Sequence, residues 1–139
     1  MLTVEELMTP VPHTVSPDTP LRTVIGIMKA GGYRQIPVLE NGRLVGIITD
    51  RDLRLAMNSP VVRHKQSEDE DLLNTVTVES CMTTDPIYVS PDTPAFQAAE
   101  MLSMYKFGAL PVVEEGALVG IITVTDFLKY FSDASDESE

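Results

Sequence analysis

The sequence predicts an α+β fold made of two β-α-β-β-α repeats, and three observations predict it. Val15-Ser-Pro-Asp-Thr-Pro20 recurs as Val89-Ser-Pro-Asp-Thr-Pro94. Leu44-Val-Gly-Ile-Ile-Thr49 recurs as Leu118-Val-Gly-Ile-Ile-Thr123. Both pairs are offset by 74 residues, and that register also carries Met8-Thr9 onto Met82-Thr83, Pro37-Val38 onto Pro111-Val112, Gly42 onto Gly116 and Asp52 onto Asp126. A single register held over so many positions marks a tandem duplication.

Each element follows from local chemistry. Thr14 and Val15, with Tyr88 and Val89 in the second copy, read as a short strand running into a Ser-Pro-Asp turn. Thr19 is expected as a helix N-cap with Pro20 in the first helical position, where a missing N–H costs nothing. Leu21, Val24, Ile25 and Met28 then recur at helical spacing, as do Ala95, Ala98, Ala99 and Leu102. Gly31-Gly32 can end the first helix. Residues 35–39 and 44–48 flank Asn41-Gly42, a pair suited to a type I′ hairpin turn. A second helix is expected from Thr49 to about Met57.

These elements divide the chain into a first motif at 1–58, a connector at 59–75, a second motif at 76–131 and an acidic tail at 132–139. The connector holds Pro60 and the block Glu68, Asp69, Glu70 and Asp71, so it is expected as a solvated link. Asp133, Asp136, Glu137 and Glu139 charge the tail. A repeat of about 60 residues buries only about 60% of its unfolded surface and is marginal alone.

Composition removes several classes of function. The chain has 139 residues and is 43% hydrophobic and 22% charged, which suits a folded core. No apolar run reaches the roughly 18 residues of a membrane span, and no signal-peptide pattern opens the sequence. A soluble protein of the cytoplasm is therefore expected. One cysteine and two histidines make neither an internal disulfide nor a structural zinc site. A net charge of −11 argues against binding nucleic acid through its phosphates.

The repeated residues resemble a known family. The β-α-β-β-α pair, the Met-Thr ahead of the first strand, the Pro-Val of the second and the Gly-Ile-Ile-Thr-x-x-Asp closing each copy are similar to tandem cystathionine-β-synthase (CBS) domains. The likeness spans about Leu7 to Tyr130, and a small stand-alone pair without a further catalytic or transport domain is expected. It implies a pseudo-two-fold CBS-pair module with two clefts, a homodimer, and a non-catalytic regulatory role in binding an adenosine compound such as AMP or ATP. No cofactor is required on this reading, and magnesium enters only as a companion to a polyphosphate. The alternative is a ligand-free scaffold that recruits a protein partner.

Two sets of residues are candidates for the ligand. Thr49, Arg51 and Asp52, with Thr123, Thr125 and Asp126, place a hydroxyl and a carboxylate three residues apart across a helix start. Such a carboxylate can accept from both ribose hydroxyls, yet the same Thr-x-x-Asp spacing is that of a capping box. For the base, the resemblance implies Thr14, Val15, Tyr33, Arg34, Gln35, Ile36 and Pro37 in one copy. It implies Tyr88, Val89, Phe107, Gly108, Ala109, Leu110 and Pro111 in the other. Strand backbone can match the adenine edge, while Ile36 and Leu110 serve either as apolar walls or as core.

The copies differ in charge. Of the 10 basic residues, Arg22, Lys29, Arg34, Arg43, Arg51, Arg54, Arg63 and Lys65 fall in the first half, and only Lys106 and Lys129 in the second. Arg34 corresponds to Gly108, and Arg51 to Thr125. Arginine binds phosphate in bidentate fashion, so the first copy is expected to take the more anionic ligand. Other chemistry is poorly supported. Asp50-Arg51-Asp52 lacks a third metal ligand, and Cys81, aligned with Leu7, reads as a small buried hydrophobe. His13 and His64 have no catalytic neighbours in sequence, and neither a Gly-x-Gly-x-x-Gly nor a Walker loop occurs.

Overall fold

The computed structural model describes residues 1–11, 13–57 and 73–137, with side chains described through Asp133. The acidic block Glu68–Asp71, together with Pro60, Arg63, His64, Lys65 and Glu139, lies outside the described residues. Two compact units emerge. The first-repeat unit is His13–Pro86; the second-repeat unit combines Met1–Pro12 with Ile87–Glu139.

In the first-repeat unit, helix α2 (Leu21–Gly31) precedes strands β1 (Gln35–Glu40) and β2 (Arg43–Thr49) and helix α3 (Asp50–Met57). β1 and β2 form an antiparallel hairpin in which Ile36 opposes Ile48. Asn41 and Gly42 both have positive φ, at 52° and 79°, as a type I′ turn demands. A two-residue strand β3 (Thr83–Thr84) adds to β2. Val15 makes a single parallel bridge to Val38 in place of a longer strand. α2 is capped by Gly32, whose left-handed backbone lets its N–H reach the Met28 carbonyl at 2.8 Å.

The second-repeat unit repeats this plan. Helix α1 (Val4–Leu7) comes first, then α4 (Ala95–Tyr105), β4 (Ala109–Glu114), β5 (Ala117–Thr123) and α5 (Val124–Glu137). β4 and β5 pair antiparallel with Leu110 against Ile122, and Val89 bridges Val112. Each unit has its own buried cluster. Leu21, Val24, Met28, Ile36, Val38 and Ile48 centre the first, and Ala98, Leu102, Leu110, Val112 and Ile122 the second.

One expectation about the helix starts is corrected. Pro20 and Pro94 occupy the cap positions of α2 and α4, and neither helix has a side-chain cap. Thr19 and Thr93 instead accept hydrogen bonds from the backbone N–H groups of Ser16 and Ser90, both at 3.0 Å. The Ser-Pro-Asp turn draws each threonine hydroxyl back toward itself, and the proline backbone begins the helix.

Each repeat is completed by a segment that sequence order would assign to its twin. Val4 N–H donates to the Thr93 carbonyl and Ala95 N–H to that of Leu2, both at 2.9 Å. At the equivalent positions Val78 N–H donates to Thr19 at 2.9 Å and Leu21 N–H to Val76 at 3.0 Å. Thus residues 2–9 close the second repeat, and residues 76–83, their counterparts, close the first. Val4 and Val78 are fully buried, each in the core it completes. Leu73, from the end of the expected connector, also packs on the first core, and Arg22 Nε donates to Asn74 Oδ1 at 2.7 Å.

Candidate functional site

The Thr-x-x-Asp motifs form reciprocal capping boxes. In the first-repeat unit Thr49 N–H donates to Asp52 Oδ2 and Asp52 N–H to Thr49 Oγ1, both at 3.0 Å. In the second, Thr123 N–H donates to Asp126 Oδ2 at 2.8 Å and Asp126 N–H to Thr123 Oγ1 at 3.2 Å. Each box closes the turn from strand to helix and holds its carboxylate in a fixed orientation. The side chains of Thr49, Asp52, Thr123 and Asp126 are half-buried, so an incoming polar group can still reach them.

The other oxygen separates the two repeats. Thr9 Oγ1 donates to Asp126 Oδ1 at 2.7 Å. Its counterpart Thr83 lies 3.4 Å from both oxygens of Asp52, at the outer limit of a hydrogen bond. Oδ1 of Asp126 is thus already engaged by a threonine, whereas Oδ1 of Asp52 is only loosely approached. Thr9 and Thr83 were not among the residues picked from the sequence. Their signal was the repeated Met-Thr pair, which marked the register without showing which repeat it docks on.

Glycine makes this docking possible. A Cβ on Gly46 would stand 2.6 Å from Met82 Sδ and 2.9 Å from the Thr83 carbonyl oxygen. On Gly120 it would stand 2.7 Å from Met8 Sδ and 3.1 Å from the Thr9 carbonyl oxygen. A side chain at either position would push the threonine away from its carboxylate.

The remaining candidates sort by exposure. Arg34 and Arg51 are exposed, and the Arg34 carbonyl accepts from Asp50 N–H at 2.9 Å. That bond ties the backbone of the residue leading into β1 to the start of α3, where Arg51 follows. Gly108 makes the equivalent bond to Val124 N–H at 3.2 Å, with exposed Thr125 following. Within α3, Arg54 pairs with Asp50 at 3.5 Å.

Several of the residues expected for the base also take part in the fold. Val15 spends its N–H on the Pro37 carbonyl at 3.1 Å and its carbonyl on Leu39 N–H at 2.8 Å. Val89 does the same with Pro111 and Val113, at 3.0 and 2.8 Å. Ile36 and Leu110 lie in the two cores at 1% and 0% exposure, and Pro37, Pro111 and Ala109 are buried with them. Thr14, Tyr88, Phe107 and Gly108 are exposed, and Tyr33 and Gln35 half-buried. Tyr33 meets His13 edge-on with centroids 5.5 Å apart, while Phe107 stacks on Tyr105 at 5.4 Å.

Cys81 is half-buried beside the first core, and its thiol pKa is raised, mainly by burial and secondarily by the charge of Asp52. Among the described residues no cluster of histidine, cysteine and carboxylate side chains could hold a metal ion. No described helix is long and apolar enough to cross a membrane.

Comparison with known proteins agrees with this architecture. The family model of the CBS domain matches twice, at residues 4–59 and 78–133. A CBS domain-containing protein of Dictyostelium discoideum is 35% identical over 127 residues, covering 90% of this chain and 88% of its own length. A solved structure of CBSX2 in complex with AMP superimposes with a TM-score of 0.80 at 28% identity, over 97% of this chain and 99% of that one. The CBS domain pair of protein MJ0100, in complex with 5′-methylthioadenosine and S-adenosyl-L-methionine, gives 0.76 at 26% identity, over 94% and 99%. Some relatives are much longer: the chain spans 21% of the inosine-5′-monophosphate dehydrogenase of Korarchaeum cryptofilum. With both repeats matched and the fold shared along the whole pair, the chain belongs to the CBS-domain family as a tandem CBS pair.

Proposed function

We propose that this CBS pair is a non-catalytic regulatory module that binds a phosphorylated adenosine compound, AMP or ATP, on its first-repeat unit. The observation that carries this reading is the unequal engagement of the two box carboxylates. Asp52 retains an acceptor oxygen, only loosely approached by Thr83 at 3.4 Å, beside exposed Arg51 and Arg34. Asp126 is engaged by Thr9 at 2.7 Å and neighbours Thr125. A carboxylate with spare acceptor capacity accepts from ribose hydroxyls, and two exposed arginines on the same unit can balance phosphate charge.

Thr49 fixes the carboxylate, and Thr14, Tyr33 and Gln35 offer polar and aromatic surface for the base. The adenosine ligands bound to CBSX2 and to MJ0100 support the ligand class. Magnesium accompanies the ligand only when it is a polyphosphate, and the cytoplasmic nucleotide pool is the source. The module signals by differential affinity: ligand shifts its conformational population by as much as it prefers one state.

Thermal unfolding of nucleotide-free protein with AMP, ADP, ATP, NADH and S-adenosylmethionine, with and without magnesium, tests this reading. Ligand at 100 times its Kd stabilises the native state by about 2.7 kcal/mol, a shift of several degrees. A flat panel would reject the sensor and favour a scaffold that recruits a protein partner.

A further inference from the structure

The segment that closes the second repeat ends on that repeat's own carboxylate. It is pinned at both ends. Val4 is fully buried in the second core, and the N–H groups of Val4 and Glu5 donate to the Thr93 and Pro91 carbonyls, both at 2.9 Å. Thr9 then pairs with Ile121 of β5, each N–H donating to the other's carbonyl at 2.9 Å. From there its hydroxyl reaches Asp126 Oδ1 at 2.7 Å. Asp126 Oδ2 serves the box, accepting from Thr123 N–H at 2.8 Å and from the Thr123 hydroxyl at 3.1 Å. Both oxygens of Asp126 are engaged by donors of the chain itself.

A ribose offers two neighbouring hydroxyls, and a carboxylate takes the pair by accepting both. Thr9 presents one such hydroxyl from a backbone that is already ordered. It therefore loses no translational freedom in making the bond, as a free ligand does. The contact also has two discrete positions. Thr9 is exposed, and a turn about its χ1 carries the hydroxyl from Asp126 to water while the backbone stays paired with Ile121. The first repeat shows the looser arrangement. Thr83, the twin of Thr9, pairs with Ile47, the twin of Ile121, yet stands 3.4 Å from both oxygens of Asp52.

We propose that Thr9 decides whether the second repeat takes ligand, its hydroxyl occupying the place on Asp126 Oδ1 that a ribose hydroxyl would take. This rests on the reading of the box carboxylate as the ribose acceptor. The ligand held off is an uncharged adenosine compound with both ribose hydroxyls free. Gly108 and Thr125 stand where the first repeat has Arg34 and Arg51, and the second-repeat unit contains no arginine to meet a phosphate.

Calorimetric titration of adenosine tests this in chains carrying Asp52→Asn, so that only the second box keeps its carboxylate. Thr9→Val, which keeps the shape and loses the hydroxyl, should tighten adenosine binding at least about fivefold, the effect of one average hydrogen bond. Thr9→Ser, which keeps the hydroxyl, should bind as the parent does. Adding Asp126→Asn to Thr9→Val should abolish the gain, since the amide has one acceptor oxygen and the box engages it. Urea melts check that each variant is folded. No gain with Thr9→Val, an equal gain with Thr9→Ser, or a gain that survives Asp126→Asn would overturn the proposal. AMP titrated into wild type and into Asp52→Asn reports on the first-repeat site separately. Equal affinity in those two chains would reject that site's assignment and leave the Thr9 comparison standing.

Discussion

The hydroxyl of Thr9 donates to Asp126 across 117 residues of sequence, at 2.7 Å, and so locks the leading segment of the first repeat onto the helix start of the second. The equivalent pair, Thr83 and Asp52, is 3.4 Å apart. Two sites identical in motif thus differ in how far their carboxylates are already satisfied.

That difference has a measurable stability consequence. Thr9→Val should cost about 1 kcal/mol in urea denaturation, the usual worth of a hydrogen bond to a partly exposed carboxylate. Thr83→Val should change stability little. Equal losses for the two variants would show that the carboxylates are held alike.

The glycines facing the Met-Thr segments should be intolerant of a methyl group. Gly46→Ala and Gly120→Ala should both destabilise, by roughly 1–3 kcal/mol, as overpacked sites do. Gly46→Ala should cost more, because its Cβ would fall 2.9 Å from the rigid Thr83 carbonyl, against 3.1 Å for Thr9. Thermal melts of the two variants would check both size and order.

Much of this fold could be read from the sequence. Asn41-Gly42 announced its hairpin because few other residue pairs accept two positive φ values. The helix stop at Gly32 was legible for the same reason. The exchange of leading segments was not legible, since a repeat register says which residues are equivalent and not which copy they pack on. The capping role of Thr19 was misassigned because the nearby Ser16 N–H competes for its hydroxyl. At the site, the Thr-x-x-Asp spacing showed the box but could not show Thr9 filling one oxygen of Asp126, which depends on residues 117 apart.

Cys81 offers a probe of the first-repeat site. Its thiol is raised above the ordinary value of 9.0, first by burial and then by the Asp52 charge. On rising pH the unfolded chain gives up this proton before the folded one does. The contribution to stability is therefore full below about pH 9 and is lost as pH climbs through the folded-state value. Iodoacetamide at pH 8.5 should alkylate native protein more slowly than urea-unfolded protein. Asp52→Asn, which keeps a box acceptor and removes the charge, should speed the native reaction. An unchanged rate would remove Asp52 as a cause.

The central claim is that one repeat, the one with Arg51 and a partly free Asp52, takes the phosphorylated ligand. Calorimetric titration of AMP and of ATP with magnesium into wild type, Arg51→Ala and Thr125→Ala tests it most directly. Arg51 is exposed and outside the capping bonds, so its removal leaves the fold intact. The account predicts one dominant site per chain, weakened at least tenfold by Arg51→Ala and unaffected by Thr125→Ala. Two equivalent sites, or full affinity without the Arg51 guanidinium, would contradict it.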